Sequence, residues 1–285
     1  MKHTQIHTPM ISIVLPAYNA GEVLEQAVMS VYVQTFTDWE LLIMDDGSTD
    51  NTAEVALRIK DPRIRLIRCK HDFIATLNKG MQAAKGKYIA RMDADDRMVP
   101  ERLAIQYRLM EEHPEITVCG SWVETFGKDI IPQYYGEQEE FVENPIACLL
   151  QKNFLCHPTV IMRADFWQEH QLHYQYYSAA EDYKLWFEMA KLGAVFYVIP
   201  QVLLLYQVSD TQVSKQQLEK QRTSSLKIQW EVMEYLIDKQ NDREEFQELY
   251  TQLRWWVAHK SLNELVTKVL LTELLSNRIN QKLNV

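Results

Sequence analysis

Three acidic groups flank apolar segments of this chain, and each suits a different task. Asp93-Ala94-Asp95, with Asp96 adjoining, follows the run Lys87–Met92. Hard divalent cations take oxygen ligands, and Mg2+ or Mn2+ is commonly held by one or two carboxylates together with substrate phosphates. Such residues also make turns and cap helices, so the short motif gains weight only from its company. Asp45-Asp46-Gly47-Ser48 closes the run Trp39–Met44. A carboxylate there can accept a hydrogen bond from a base N–H or from ribose hydroxyls, while Gly47 and Ser48 suit a turn. Glu181-Asp182 opens the segment Tyr183–Phe187. A helix N-terminus favours the ionised carboxylate, which a general base at neutral pH requires.

The elements that must position these groups alternate in type. Ile11–Leu15, Trp39–Met44, Ile64–Ile67 and Lys87–Met92 read as strands. Between them lie helical patterns: one capped by Asn19 with Val23, Leu24, Ala27, Val28 and Val31; one opened by Ser48, Thr49 or Asp50; and one over Ile74–Ala84. Another follows Pro100. Strand–helix repetition at this spacing predicts parallel strands with right-handed crossovers, and ligands bind outside the carboxyl ends of such strands. Pro16–Asn19, Asp45–Ser48 and Asp93–Asp96 should therefore share one sheet edge.

Further on, Val118–Phe126 and Ile130–Tyr135 read as a hairpin, and Phe141–Leu150 as a helix. Thr159–Met162 reads as a strand and Glu181–Leu192 as a helix. Phe196–Ile199 and Val202–Tyr206 read as two strands around Pro200. Residues 215–285 change character, with three amphipathic stripes: Leu226, Trp230, Met233 and Ile237; Phe246, Leu249, Tyr250, Leu253 and Val257; Leu262, Leu265, Val266, Val269 and Leu270. The expected division is a catalytic domain over 1–214 and a helical extension over 215–285.

Composition narrows the function classes. The chain has 285 residues, 47% hydrophobic and 24% charged, with a net charge of −9. That is globular composition, and the charge argues against a nucleic-acid backbone as main partner. Residues 1–210 hold 19 Lys and Arg against 29 Asp and Glu, and residues 211–285 hold 11 against 10, so the acidic surplus accompanies the candidate chemistry. No run reaches the ~18 apolar residues of a membrane span, and Met1–Pro9 lacks the apolar core of a signal peptide. Four cysteines without a C-x-x-C pair suggest reduced thiols and a cytoplasmic protein, at most peripheral to the inner face of a membrane. The C-terminal stripes are expected to pack inward; a homodimer contact and a membrane surface are the other two uses.

Taken together and in order, these segments resemble the family 2 glycosyltransferases of the GT-A fold, from about Met10 to Ser214. The resemblance rests on Ile13-Val-Leu-Pro-Ala-Tyr-Asn19, on Ser30 with Val33-Gln-Thr-Phe36, and on Trp39–Asp50. It continues through Leu77-Asn-Lys-Gly80, Gly86–Asp96, His157-Pro-Thr159 and Glu181–Trp186. It implies a Rossmann-like, mostly parallel α/β sheet flanked by helices, with a C-terminal helical extension. It also implies a nucleotide-sugar pocket of Pro16, Ala17, Tyr18, Asn19, Glu22, Asp45, Asp46, Lys79, Asp93 and Ala94. Asp46 would bind the base, Asp93 the ribose or sugar, and Asp95 with Asp93 the Mn2+ or Mg2+. Asp182 would be the catalytic base, with Glu181 beside it. The chain departs from the family's last motif, because Gln207 and Ser209 stand where many members have Arg and His.

The implied activity is inverting transfer of a hexosyl group from a UDP-hexose or UDP-N-acetylhexosamine to a hydroxyl of a glycan or lipid-linked sugar. A metal-dependent sugar nucleotidyltransferase is the competing enzyme class; its Gly-rich basic phosphate loop has no counterpart in Pro16–Gly21. A non-catalytic glycan-binding relative is the competitor outside enzymes. His157 suits acceptor binding or a structural hydrogen bond equally, and Tyr174, Tyr176 and Tyr177 suit sugar stacking or a core.

Overall fold

The computed structural model describes residues 8–128, 130–136, 140–209, 217–239 and 251. Strands β1 (Ile11–Ala17), β2 (Trp39–Asp45), β3 (Ile64–Arg68) and β4 (Tyr88–Arg91) form a parallel sheet in the order β3-β2-β1-β4. The sheet continues through β9 (Ile161–Arg163), antiparallel to both neighbours, to β6 (Val118–Phe126), then β10 (Phe196–Gln207) and β5 (Arg97–Met98). Short strands β7 (Tyr134–Tyr135) and β8 (Glu140–Phe141) pair with β6 and β10.

Period-two alternation sends side chains to two cores. Ile11, Ile13, Leu15, Leu41 and Ile43 pack against α1 (Leu24–Tyr32), α2 (Thr52–Arg58) and α4 (Arg102–Glu112). Val14, Leu42 and Met44 face the other core, built by α3 (Phe73–Ala83), α5 (Pro145–Gln151), α6 (Ala164–Glu169), α7 (Glu181–Lys191) and α8 (Leu218–Asp238). Strands buried on both faces explain why the sequence shows continuous apolar runs rather than alternation.

Several expectations are corrected. Asn19 does not cap α1, which begins at Leu24 after Val23. Instead Asn19 sits at φ 48, a region Asn tolerates, and laces the loop after β1 to the loop after β2. Its Oδ1 accepts from Thr49 N at 2.9 Å and its N–H donates to Ser48 Oγ at 3.0 Å. Phe141 belongs to a strand rather than to α5, whose helix starts at Pro145. The two strands around Pro200 are one, with the pairing register shifting between Ile199 and Val202, because proline has no N–H for the ladder. Of the three C-terminal stripes, the first is α8. It buries Trp230, Met233 and Ile237 in the core shared with α7. The other two lie outside the described residues. Among the described residues no helix is long and apolar enough to cross a membrane.

Candidate active site

The four parallel strands deliver their polar loops to one edge. Asp46 N–H donates to Ala17 O at 2.8 Å, and Met92 N–H to Val14 O at 3.3 Å, so β1 separates the Asp46 loop from the Asp93 loop by one strand on either side. Pro16 and Ala17 end β1; Tyr18, Asn19 and exposed Glu22 follow it.

Asp46 is 2% exposed and fully engaged. Its Oδ1 accepts from Asp72 N at 2.9 Å and from Thr76 Oγ1 at 2.5 Å; its Oδ2 lies 2.9 Å from His71 Nδ1. Asp45 instead braces its own turn, accepting from Ser48 N at 3.0 Å. Lys79 Nζ is spent on Arg68 O at 3.1 Å, at the end of the outer strand. That contact places it beside the Asp45 strand rather than among the Asp93 carboxylates.

The second part of the site surrounds Arg91, a cation on the last position of a buried strand. Its Nη2 meets Asp93 Oδ1 at 2.5 Å, while Nε and Nη1 have no hydrogen-bond partner. Burial works against the guanidinium charge, but the Asp93 attraction outweighs it and holds Arg91 firmly protonated. The same cation acts on Asp95, Asp96, Glu181 and Asp182, so the metal-type cluster and the start of α7 share one neighbourhood.

Asp93, Asp95 and Asp96 each offer a carboxylate oxygen within 4.8 Å of the others. Burial and then the Asp93 charge push Asp95 up to about 6 and Asp96 well up. Asp96 Oδ1 accepts from Gln207 N at 2.9 Å, but its buried Oδ2 has no partner. Crowded carboxylates with an orphaned oxygen fit an oxygen-seeking divalent cation. Asp96 thus joins Asp93 and Asp95 as a third candidate ligand, and its adjacency to Asp95 is the signal for it in the sequence. Gln207, at the position of the absent arginine, enters this site through its backbone.

On α7, Asp182 Oδ2 accepts from Asn153 Nδ2 at 2.8 Å and Oδ1 from Tyr183 N at 2.7 Å. These bonds pull against burial, which raises its affinity for a proton. Glu181 is buried more deeply, and burial followed by Asp182 repulsion pushes it up to about 8. The pair is thus asymmetric: burial pushes both upward, Glu181 further because it also feels the Asp182 charge, while two donors on Asp182 oppose its rise. No local pattern announces Asn153, which lies 29 residues from Asp182.

This asymmetry has a measurable consequence. An acid raised from 4.5 to about 8 on folding binds a proton that the unfolded chain lacks between those values. Its stabilising contribution is therefore complete below about pH 4.5 and lost as pH rises through about 8. Glu181→Gln should remove this component, on the order of a few kcal/mol across the window. The melting temperature of the variant should exceed that of the wild type increasingly from pH 5 to pH 9, as calorimetry can measure.

His157 takes its structural use. It is buried, its Nε2 lies 2.9 Å from Tyr174 Oη, and its ring packs edge-on against Trp186. Burial and Arg91 keep it neutral. Tyr174 is core, Tyr177 donates to Glu231 of α8, and exposed Tyr176 donates to Asp72 Oδ2 at 2.7 Å. The Asn78 side-chain amide pairs with the Tyr174 backbone, Nδ2 donating to Tyr174 O at 2.9 Å and Oδ1 accepting from Tyr174 N at 2.8 Å, tying α3 to the segment leading into α7.

Comparison with known proteins bears on the family and the fold. The family model described as glycosyl transferase family 2 matches residues 12–168. An uncharacterized glycosyltransferase of Haemophilus influenzae is 33% identical over 245 residues, covering 81% of this chain and 75% of the relative. The UDP-Glc:alpha-D-GlcNAc-diphosphoundecaprenol beta-1,3-glucosyltransferase WfgD of Escherichia coli is 26% identical over 231 residues, covering 79% and 85%. Among solved structures, S. aureus TarS 1-349 in complex with UDP-GlcNAc superposes with a TM-score of 0.61 at 16% identity, over 85% of this chain and 70% of that one. Mannosyltransferase PcManGT from Pyrobaculum calidifontis, in complex with GDP-Man and Mn2+, gives 0.56 at 13% identity over 93% and 87%. These two likenesses establish a shared GT-A fold.

Proposed function

This chain belongs to glycosyl transferase family 2, and on that premise we propose that it moves a hexosyl group from a UDP-sugar to a hydroxyl of a glycan or lipid-linked sugar, with inversion. The convergence of Asp93, Asp95, Asp96, Glu181 and Asp182 on Arg91, one strand from the Asp46 loop, carries this reading. UDP-GlcNAc in TarS and the UDP-Glc in the name of the E. coli relative support the choice of uridine. The lipid-linked acceptor of that relative supports the acceptor class. The catalytic unit in this reading is 1–214, with α8 of the extension bracing α5 and α7.

Each group then has a task. Tyr18 and Asp46 take the base, the first by its ring face and the second by accepting an N–H. Asp93, Asp95 and Asp96 would hold Mn2+ or Mg2+, which when bound neutralises charge on the diphosphate. Asp182 removes the proton from the acceptor hydroxyl as that oxygen bonds to the anomeric carbon. The bond from that carbon to the diphosphate breaks on the opposite face, which inverts the centre. Asn153 and the Tyr183 amide hold the Asp182 carboxylate in place for this step. Glu181, protonated at neutral pH, adds no second anion beside the base and can donate a hydrogen bond.

A thermal-shift screen of UDP-, GDP- and dTDP-sugars with Mn2+ tests the donor class, since a ligand of the native state stabilises it in proportion to its affinity. UDP-sugars should raise the melting temperature most; a response confined to another base would overturn the uridine assignment. Asp95→Asn should weaken Mn2+ binding in the presence of UDP by about 100-fold or more. An unchanged titration would remove Asp95 from the ligand set.

A further inference from the structure

The seat assigned to the base is already filled by a side chain of the protein. The His71 imidazole stacks on Tyr18 with ring centroids 4.2 Å apart and planes 21° from parallel. Its Nδ1 lies 2.9 Å from Asp46 Oδ2 and 3.0 Å from Asp46 O. An aromatic ring that lies flat on Tyr18 and presents a nitrogen to a buried carboxylate makes the two contacts that a nucleobase would need. A base and the imidazole cannot both lie on that face of Tyr18 while bonded to the same oxygen.

We propose that His71 is a resident occupant of the base seat, which the donor's base must displace, and that it thereby sets which bases can enter. The inference rests on the reading of Tyr18 and Asp46 as the base site. The anchoring of the loop favours a side-chain swing over a loop movement. Asp72 N–H is bonded to Asp46 Oδ1 at 2.9 Å, and Gly47, at φ +75, leaves so little space that a Cβ there would come within 2.8 Å of His71 N. The backbone at 71 is therefore pinned against the Asp46 turn. The His71 side chain, however, is 60% exposed and can rotate into solvent without disturbing the core.

Displacement selects by hydrogen-bond polarity. A ring that replaces the imidazole must return a donor to Asp46, or a 2%-exposed carboxylate oxygen loses its partner. Uracil and guanine present a ring N–H at the matching edge, whereas cytosine and adenine present an unprotonated nitrogen there. The competing imidazole also lowers the apparent affinity of every base by the fraction of molecules whose seat is open.

The test is chemical replacement of the plug. His71→Ala opens the seat on an exposed loop without removing either base contact. UDP and GDP, each with Mn2+, are titrated calorimetrically into the wild type and the variant, without and with free imidazole. The variant should bind the preferred nucleotide about tenfold more tightly. Imidazole in the millimolar range should weaken nucleotide binding to the variant and leave the wild type unaffected. Equal or weaker binding by His71→Ala, or indifference of the variant to imidazole, would overturn the plug, and so would the absence of binding by both proteins. Asp46→Asn separates the two levels of the argument. If it leaves nucleotide affinity unchanged, the base site itself is misplaced; if it weakens binding while His71→Ala does not tighten it, only the plug fails.

Discussion

Asp182→Asn should fold as the wild type does and lose about 10²–10⁴-fold in turnover, the usual contribution of a general base. The substitution is nearly isosteric and leaves one oxygen where there were two. The remaining oxygen can still accept from Tyr183 N, the nearer of its two donors at 2.7 Å. The amide nitrogen would then face Asn153, which can answer only by turning its own amide and giving up the bond from Leu155 N at 3.2 Å. That costs about 1 kcal/mol, too little to unfold the protein and far too little to mimic the loss of a base. KM for the donor should stay within a few-fold, because Asp182 acts on the acceptor oxygen. Turnover near that of the wild type would assign the proton to another group, with Glu181 the nearest candidate.

The largest effect on stability should come from Arg102→Met. Arg102 has no exposed surface, and among the described residues it makes no ion pair with a carboxylate. Its guanidinium instead staples backbone: Nη1 donates to Pro158 O at 2.8 Å, Nη2 to Arg91 O at 2.9 Å and Val160 O at 3.4 Å, and Nε to Gln106 Oε1 at 3.0 Å. Burial draws its pKa down to about 10, with Asp96 as the main opposing influence, so it remains charged at neutral pH. Methionine fills much of the volume but takes the guanidinium donors away from these carbonyls, Val160 O alone keeping the Arg91 N–H, and removes one of the two buried cations near Asp96, the other being Arg91. The expected loss is about 3–5 kcal/mol, at about 1–3 kcal/mol for each buried acceptor that loses its donor, which for a chain of this size lowers the melting temperature by about 10 °C. Because the carbonyl of Arg91 is one of the stapled groups, turnover should fall with stability even below the transition. A melting curve that matches the wild type would show that the staple contributes nothing net.

These two residues mark the boundary of what the amino-acid order reveals. The helix start at Glu181-Asp182 is legible because two acids before a helical stretch are a local pattern, whereas the role of Asp182 follows from the family resemblance alone. The convergence of the Asp46 and Asp93 loops was legible from strand–helix repetition, since parallel strands put their carboxyl ends on one side. Arg102, Asn153 and His71 were not. Their partners lie 56, 29 and 25 residues away, and nothing in a helix or loop composition encodes such distances. Arg91 gave a weak signal, a lone cation inside the apolar run Tyr88–Met92, which a doubly buried strand would not carry without a task. The place of Asn19 is not legible in the sequence because Asn suits both a helix cap and a left-handed backbone, and only the neighbouring loop decides between them.

The central claim is transfer of a sugar away from an intact nucleoside diphosphate. Its most direct measurement is the product spectrum when a UDP-sugar and Mn2+ are incubated with the protein and no acceptor, followed by chromatography and phosphorus NMR. Slow release of UDP with free sugar, suppressed in Asp95→Asn, is the expected result. Release of UMP or pyrophosphate, or of no product from any nucleotide-sugar, would contradict it.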